Sequence, residues 1–214
     1  MKFSRAAAAV LSIVATNAAY SQLVVVNEGF DNVATLPGSG WLQTNLSTPI
    51  GTTNWFQGDQ TIFAAQAGAP SSYIAANFNN AAAGGTIANY LISPVFSTAL
   101  GGTVSFWARA VAEPDFADHL AFGLGTGTTP GTFALGAPTE ISGAWTLYSF
   151  TFAAQGVGAT GRAVVEYLGV GDASNYVGVD SFNVNVVPEP ETWALFGLGL
   201  AGLGAWTRRR KVAG

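Results

Sequence analysis

Short runs of alternating apolar and polar residues recur along the central part of the chain. In one of them Val104, Phe106 and Ala108 alternate with Ser105 and Trp107. A period of two places the apolar set on one face of a β-strand. The same pattern predicts about nine strands, at residues 23–26, 54–57, 73–78, 89–92, 104–110, 120–124, 145–152, 163–167 and 176–187.

Turn-forming residues separate these runs, and no amphipathic helix lies between them. This predicts an all-β fold, a β-sandwich over residues 22–187. In the last strand the apolar set changes phase, from odd-numbered valines ending at Val179 to an even-numbered set beginning at Phe182. One extra residue near Asp180 and Ser181 would cause this change, so we expect a β-bulge there.

Residues 1–21 have the layout of a secretory signal peptide. A basic start precedes an apolar stretch at residues 6–15, and small residues follow it. Cleavage between Ser21 and Gln22 satisfies the small-x-small rule, and cleavage two or three residues earlier is the alternative. A second interpretation is an Ala-rich N-terminal helix that belongs to the domain.

The C-terminal region, residues 188–214, contains three features in a fixed order. They are Pro188-Glu189-Pro190, the uncharged apolar residues 192–207 and the basic residues 208–211. As a helix, the sixteen apolar residues reach about 24 Å, which spans a bilayer after modest local thinning. This predicts a single transmembrane helix, and a buried C-terminal core helix is the alternative.

This order of features resembles the PEP-CTERM sorting signal of Gram-negative bacteria. The resemblance implies recognition by an exosortase, which would cut near residues 188–190. It also implies an intermediate held in the inner membrane by its C-terminal helix, followed by transfer to the cell surface or the extracellular polymer matrix. With the signal peptide, the expected processing partners are signal peptidase and an exosortase.

The charged residues divide the chain into two basic ends and an acidic middle. Between residues 22 and 187, ten acidic residues accompany two basic ones, a net charge of −8. Such a domain has no basic surface to neutralise phosphates, so nucleic acid is not an expected partner. Cysteine is absent, so apolar burial must hold the domain together without disulfides.

Several short motifs occur in order along the domain. They are residues 28–31 (EGFD) with Gly40-Trp41, residues 90–94 (YLISP), 102–107 (GTVSFW), 145–152 (WTLYSFTF) and 179–182 (VDSF). Their order resembles the choice-of-anchor J family of surface domains. The resemblance implies a jelly roll related to MAM-like and adhesin domains, with the first and last strands adjacent. The final strand of that family carries two consecutive acidic residues, whereas here Ser181 follows Asp180.

Adjacent terminal strands would bring Glu28, Asp31 and Asp180 towards one another. Carboxylate oxygens are the ligands that Ca²⁺ prefers, so these residues are the candidates for a structural Ca²⁺ site. Solvated loop carboxylates are the alternative. Residues 113–119 hold further ionisable groups without the ligand spacing of a calcium loop, which favours an exposed acidic loop.

The sequence offers little for catalysis, because His119 is the single histidine and no nucleophile elbow or zinc motif occurs. We predict a non-enzymatic surface or matrix protein that is adhesive, structural or carbohydrate-binding. The alternative is a secreted glycan hydrolase that uses two of Glu113, Glu140 and Glu166. Four tryptophans are expected in the core, with stacking on sugar rings as their alternative role: Trp41, Trp55, Trp107 and Trp145.

Overall fold

The computed structural model describes residues 23–186. Within this range the strands are β1 (Leu23–Glu28), β2 (Leu42–Asn45), β3 (Thr48–Ile50), β4 (Phe56–Gln57), β5 (Ile74–Asn77), β6 (Ala81–Ile92), β7 (Phe96–Ser97), β8 (Gly102–Ala110), β9 (His119–Gly125), β10 (Phe133–Leu135), β11 (Thr139–Glu140), β12 (Thr146–Phe152), β13 (Thr160–Val170) and β14 (Tyr176–Val186). Four 3₁₀ helices span Val33–Ser39, Phe78–Asn80, Pro130–Thr132 and Gly171–Ala173. None of the helices described here has the length and apolar character needed to cross a membrane. The predicted signal helix and C-terminal transmembrane helix lie outside the described residues.

Two antiparallel sheets form the fold. Sheet A has the strand order β12-β8-β14-β5-β4, and β1 also pairs with β14. Sheet B has the order β10-β9-β13-β6-β2, with β11, β3 and β7 attached to β9, β6 and β13. The arrangement is a jelly-roll β-sandwich, which confirms the predicted all-β fold.

The first and last strands are neighbours, as expected. β1 and β14 pair antiparallel, with Glu28 opposite Phe182. The register of β14 against β8 shifts between Asp180 and Asn183, and Ser181 has a φ of 51°. The predicted bulge is therefore present, and it lets both halves of β14 direct apolar side chains into the core.

One long strand differs from the sequence-based prediction. β6 runs from Ala81 to Ile92, whereas the pattern predicts a strand at residues 89–92. The additional part contains Gly84 and Gly85, which are typical of loops. Pairing with β3 at Ala81 and at Thr86 joins this part to sheet B, whereas β13 pairs with β6 only from Thr86 onwards. Tertiary contacts thus override the local preference.

The main core lies between the sheets and has an aromatic centre. Trp41 is 2% exposed, and its ring centroid lies 5.4 Å from that of Phe30 and 5.1 Å from that of Phe182. Both contacts are edge-to-face, a favourable arrangement of aromatic quadrupoles. Of the four tryptophans expected in the core, two are buried and two are half-buried: Trp41 and Trp55, then Trp107 and Trp145.

Residues 58–72, here called the cover loop, enclose a second buried cluster on sheet A. Phe63, Tyr73 and Tyr176 form this cluster, and the two tyrosine hydroxyls are 3.1 Å apart. Gly58 packs directly on the Tyr73 ring, where an added Cβ would lie 2.3 Å from a ring carbon. The close approach of the cover loop therefore requires glycine at position 58.

Candidate functional site

A groove of about 440 Å³ lies at the end of the sandwich where β14 begins. Three connections supply its walls: the turn after β5, the loop after β8 and the turn between β13 and β14. Antiparallel pairing of Asn77 with Tyr176 and of Val177 with Ala110 brings these connections together. The lining residues are Phe78, Glu113, Phe116, Gly171, Asp172, Ser174 and Asn175.

Two aromatic rings in the groove face solvent. Phe78 is 46% exposed and Phe116 is 41% exposed. Among the described residues, these are the two exposed phenylalanines, and both line the same groove. An exposed ring forgoes the stabilisation that burial would give, so two such rings at one place indicate a contact surface.

Polar contacts fix the other walls of the groove. The Asn175 Nδ2 group donates a hydrogen bond to Glu113 Oε2 at 3.2 Å. The Gly84 N–H donates to Asp172 Oδ1 at 3.1 Å, and the Phe78 N–H donates to the Asn175 carbonyl at 3.0 Å. The groove thus combines exposed aromatic faces with oriented carboxylates and an amide.

Asp118 is a buried carboxylate that holds one wall of the groove in place through hydrogen bonds. It is 2% exposed, and its carboxylate accepts hydrogen bonds from the Tyr167 hydroxyl at 2.5 Å, the Asn175 N–H at 2.9 Å and the Tyr176 N–H at 3.1 Å. Burial and the adjacent carboxylate raise the pKa of Tyr167 far above its ordinary value. The predicted exposed acidic loop is therefore wrong for Asp118, although residues 113–116 are exposed.

A second cleft of about 340 Å³ lies on the other side of the loop after β8 and also contacts Glu113 and Phe116. Glu140 lines this cleft together with Glu113. Glu166, the third carboxylate considered for hydrolysis, lies elsewhere, opposite Tyr90 on β6. Burial raises the pKa of Glu166 above its ordinary value. The structure thus groups two of the three glutamates and separates the third from them.

Asp180, one of the three predicted metal ligands, is fully buried. Its Oδ2 accepts hydrogen bonds from the Gln66 and Ala67 N–H groups at 2.8 and 3.0 Å, and its Oδ1 accepts one from the Ser181 N–H at 2.5 Å. Burial raises the pKa of Asp180, with these hydrogen bonds acting in the opposite direction. Because the folded-state pKa lies above the unfolded value, ionising Asp180 costs stability as pH rises through that interval. The carboxylate nevertheless ties the cover loop to β14.

The other two predicted ligands flank this region. Asp31 Oδ1 lies beside Gly68 of the cover loop, 3.3 Å from where a Cβ would stand. Glu28 Oε1 accepts a hydrogen bond from the Phe30 N–H at 2.8 Å. Asp31 and Asp180 thus approach the same short segment, but residues 23–186 contain no cluster of three acidic or histidine side chains placed to hold a metal. A structural Ca²⁺ stays a prediction.

The predicted Ca²⁺ has a direct thermal test. If Asp31 and Asp180 bind it with Glu28, the domain (residues 22–187) should melt at a higher temperature in millimolar Ca²⁺ than in EDTA. Ligand a hundredfold above its Kd adds about 2.7 kcal/mol, or roughly 5–10 °C for a domain of this size. Asp31→Ala should abolish the difference, while Asp115→Ala in an exposed loop should keep it. Identical melting curves in both buffers would exclude the site.

The predicted cleavage and sorting residues lie outside the described residues: Ser21, Gln22, Pro188, Glu189 and Pro190. Comparison with known families covers the region of Pro188, Glu189 and Pro190. Residues 186–211 match the family described as the PEP-CTERM protein-sorting motif. The chain carries a PEP-CTERM sorting signal. This signal implies processing by an exosortase and export through the membrane to the cell surface.

Solved structures show the same fold as the central domain. The K1 adhesin domain of Lys-gingipain from Porphyromonas gingivalis W83 superposes with a TM-score of 0.59 and 19% identity, covering 76% of this chain and 98% of that one. The K3 adhesin domain gives a TM-score of 0.55 and 17% identity, covering 76% and 98%. At this level of identity the likeness establishes the β-sandwich fold. No curated protein sequence matches the chain significantly.

The groove is not predicted by the sequence. Its aromatic and amide residues, Phe78, Phe116 and Asn175, come from three connections separated by tens of residues. Phe78 stands at the end of a predicted strand, and Phe116 and Asn175 stand in predicted loops. One signal is available in the sequence: Phe78 and Phe116 are large apolar residues next to turn-forming residues, where exposure is costly unless a partner covers them.

Proposed function

We propose that the protein is an exported, non-enzymatic surface or matrix protein whose β-sandwich binds an extracellular polysaccharide in the groove. The observation that carries this proposal is the pairing of exposed Phe78 and Phe116 with the oriented groups of Glu113, Asp172 and Asn175. The sorting signal supports the location, since exosortase processing delivers the domain to the place where such polymers occur.

The chemistry of the groove suits a sugar polymer. The C–H face of a pyranose ring packs on an aromatic ring, while its hydroxyl groups exchange hydrogen bonds with carboxylates and amides. The second cleft shares Glu113 and Phe116 with the groove, so a ligand longer than one sugar residue could contact both. The domain carries a net charge of −8 over residues 22–187, so the expected ligand is a neutral glycan rather than an acidic one.

The position of the groove agrees with this function. β14 begins beside the groove and ends at Val186, next to the sorting signal. The eleven residues of this strand separate its two ends by about 33 Å. The groove therefore opens at the end of the domain opposite to its attachment, where it faces away from the membrane during sorting.

The proposal predicts that both rings are needed for binding. Phe78→Ala and Phe116→Ala should each weaken binding to a neutral polysaccharide about tenfold or more, which corresponds to about 1.4 kcal/mol or more. Affinity electrophoresis against neutral and acidic polysaccharides measures this for residues 22–187. Val157→Ala is the control, because Val157 is fully exposed in a loop at the opposite end of the domain. Unchanged binding by both phenylalanine variants would exclude the groove.

The hydrolase alternative keeps one supporting observation, the shared position of Glu113 and Glu140 on the second cleft. A glycosidase needs a proton donor and a second carboxylate on either side of the bond that it cuts. Incubation with the polysaccharides that bind, followed by an assay for new reducing ends, separates the two functions. Turnover that is lost in Glu140→Gln but kept in Glu166→Gln would establish the enzyme.

A further inference from the structure

Strand β12 forms a free edge of sheet A. It pairs with β8 along its full length, from Thr146 opposite Ala108 to Phe152 opposite Gly102. No other strand within residues 23–186 pairs with its second side. An unpaired edge presents backbone N–H and C=O groups that a further strand can join.

This edge lacks the features that usually prevent such pairing. The other edge strands, β2, β3, β4, β10 and β11, have two to four residues each. β1 is longer, but its register is interrupted between Val24 and Val26. β12 has seven residues and an uninterrupted register. It contains no charge, proline or glycine, although natural sandwiches protect long edges with charges, prolines or bulges.

The main core is also partly exposed to solvent next to β12. Its half-buried hydrophobic side chains all belong to β12 and to β9 of the facing sheet: Tyr148, Phe150, Phe152, Phe122 and Leu124. The Phe122 ring centroid lies 6.0 Å from that of Tyr148 and 6.1 Å from that of Phe150. Another strand added to β12 would cover these half-buried aromatic side chains at the edge between the two sheets.

We propose that a second copy of this protein occupies the edge, through antiparallel pairing of β12 with β12. The strand is self-complementary about Ser149: Tyr148 comes opposite Phe150, and Leu147 opposite Thr151. A two-fold axis perpendicular to the sheet keeps the core-facing rings of both copies on the same side. Residues 141–161 carry no charge, so two acidic domains meet without like charges at the contact.

The same geometry fixes the relative orientation of the two copies. β12 and β14 are both antiparallel to β8, so they run in the same direction. Antiparallel pairing of two β12 strands therefore points the two Val186 ends in opposite directions. Copies anchored side by side in one membrane point the same way and cannot pair. The contact joins molecules on facing surfaces or molecules released from the membrane.

Cysteine cross-linking tests this contact, because the chain has no cysteine of its own. In the full chain in mild detergent, Ser149→Cys places two thiols across the two-fold axis, within reach of a disulfide. We expect a disulfide-linked dimer on air oxidation. Ser39→Cys, which is also exposed, is expected to stay monomeric, and adding Thr151→Lys to Ser149→Cys should abolish the dimer.

Analytical ultracentrifugation provides the second measurement. The chain without substitutions should show a concentration-dependent dimer that Thr151→Lys reduces at least tenfold in association constant. Cross-linking of Ser149→Cys no greater than that of Ser39→Cys would overturn the proposal. A monomeric Ser149→Cys that also resists thiol reagents would overturn it as well, because another part of the chain would then cover the edge.

Discussion

Asp118→Ala should lower the free energy of unfolding by about 3–5 kcal/mol. The substitution leaves three donors without an acceptor: the buried Tyr167 hydroxyl and Tyr176 N–H, and the half-buried Asn175 N–H. Each unsatisfied buried donor costs about 1–3 kcal/mol. Urea denaturation measures the loss directly, and the melting temperature should fall by roughly 10 °C.

Two further variants separate the hydrogen bonds from the charge. Tyr167→Phe removes one of the three bonds and should cost about 1–2 kcal/mol. Asp115→Asn, at an exposed position three residues before Asp118, should change stability by less than about 0.5 kcal/mol, because asparagine also tolerates the left-handed backbone at this position (φ 68°). If Asp118→Ala were no more destabilising than Asp115→Asn, the carboxylate would not organise the turn before β14.

Replacing Pro188, Glu189 and Pro190 with alanine should stop surface delivery. Proline lacks a backbone N–H and restricts φ, so a segment with two prolines is disfavoured in a helix or a sheet and should be easier for a protease to engage. The apolar residues 192–207 and the basic residues 208–211 remain unchanged, so the variant should still insert into the inner membrane. The full-length precursor should accumulate there.

Cell fractionation, immunoblotting and protease treatment of intact cells measure this outcome. Glu191→Ala is the matched control, since it alters the neighbouring residue and leaves the motif intact; it should be processed normally. Surface display of the triple-alanine variant at the level of the unmodified protein would show that residues 188–190 are not the sorting determinant.

The features that the sequence predicted correctly are local ones. The alternation of apolar and polar residues in β8 correctly predicts which face of the strand is buried. Val104, Phe106 and Ala108 all lie in the core. A period of two is a property of the strand alone, so it can be recognised without knowing the partner strands. The phase change at Asp180 and Ser181 indicates the bulge for the same reason.

The features that the sequence missed depend on distant contacts. Asp118 lies in a loop with two exposed carboxylates, and its burial results from donors 49 to 58 residues away. β6 extends through Gly84 because Ala81 and Thr86, which lie on either side of this glycine in the chain, both pair with β3. The groove is formed by three connections that meet when β5, β8 and β14 align. Composition and spacing carry no information about contacts between residues that are far apart in the sequence.

The central place of β14 has a mechanical consequence. This strand is bonded to β8 on one side and to β5 and β1 on the other. A polymer held at the groove end would pull against the attachment at Val186, along the axis of β14. Ladder hydrogen bonds run perpendicular to the strand, so such a pull loads them together in shear instead of opening them one at a time. If the groove binds a polymer as proposed, the hydrogen bonds of β14 would resist tension along the direction in which a strand ladder is strongest.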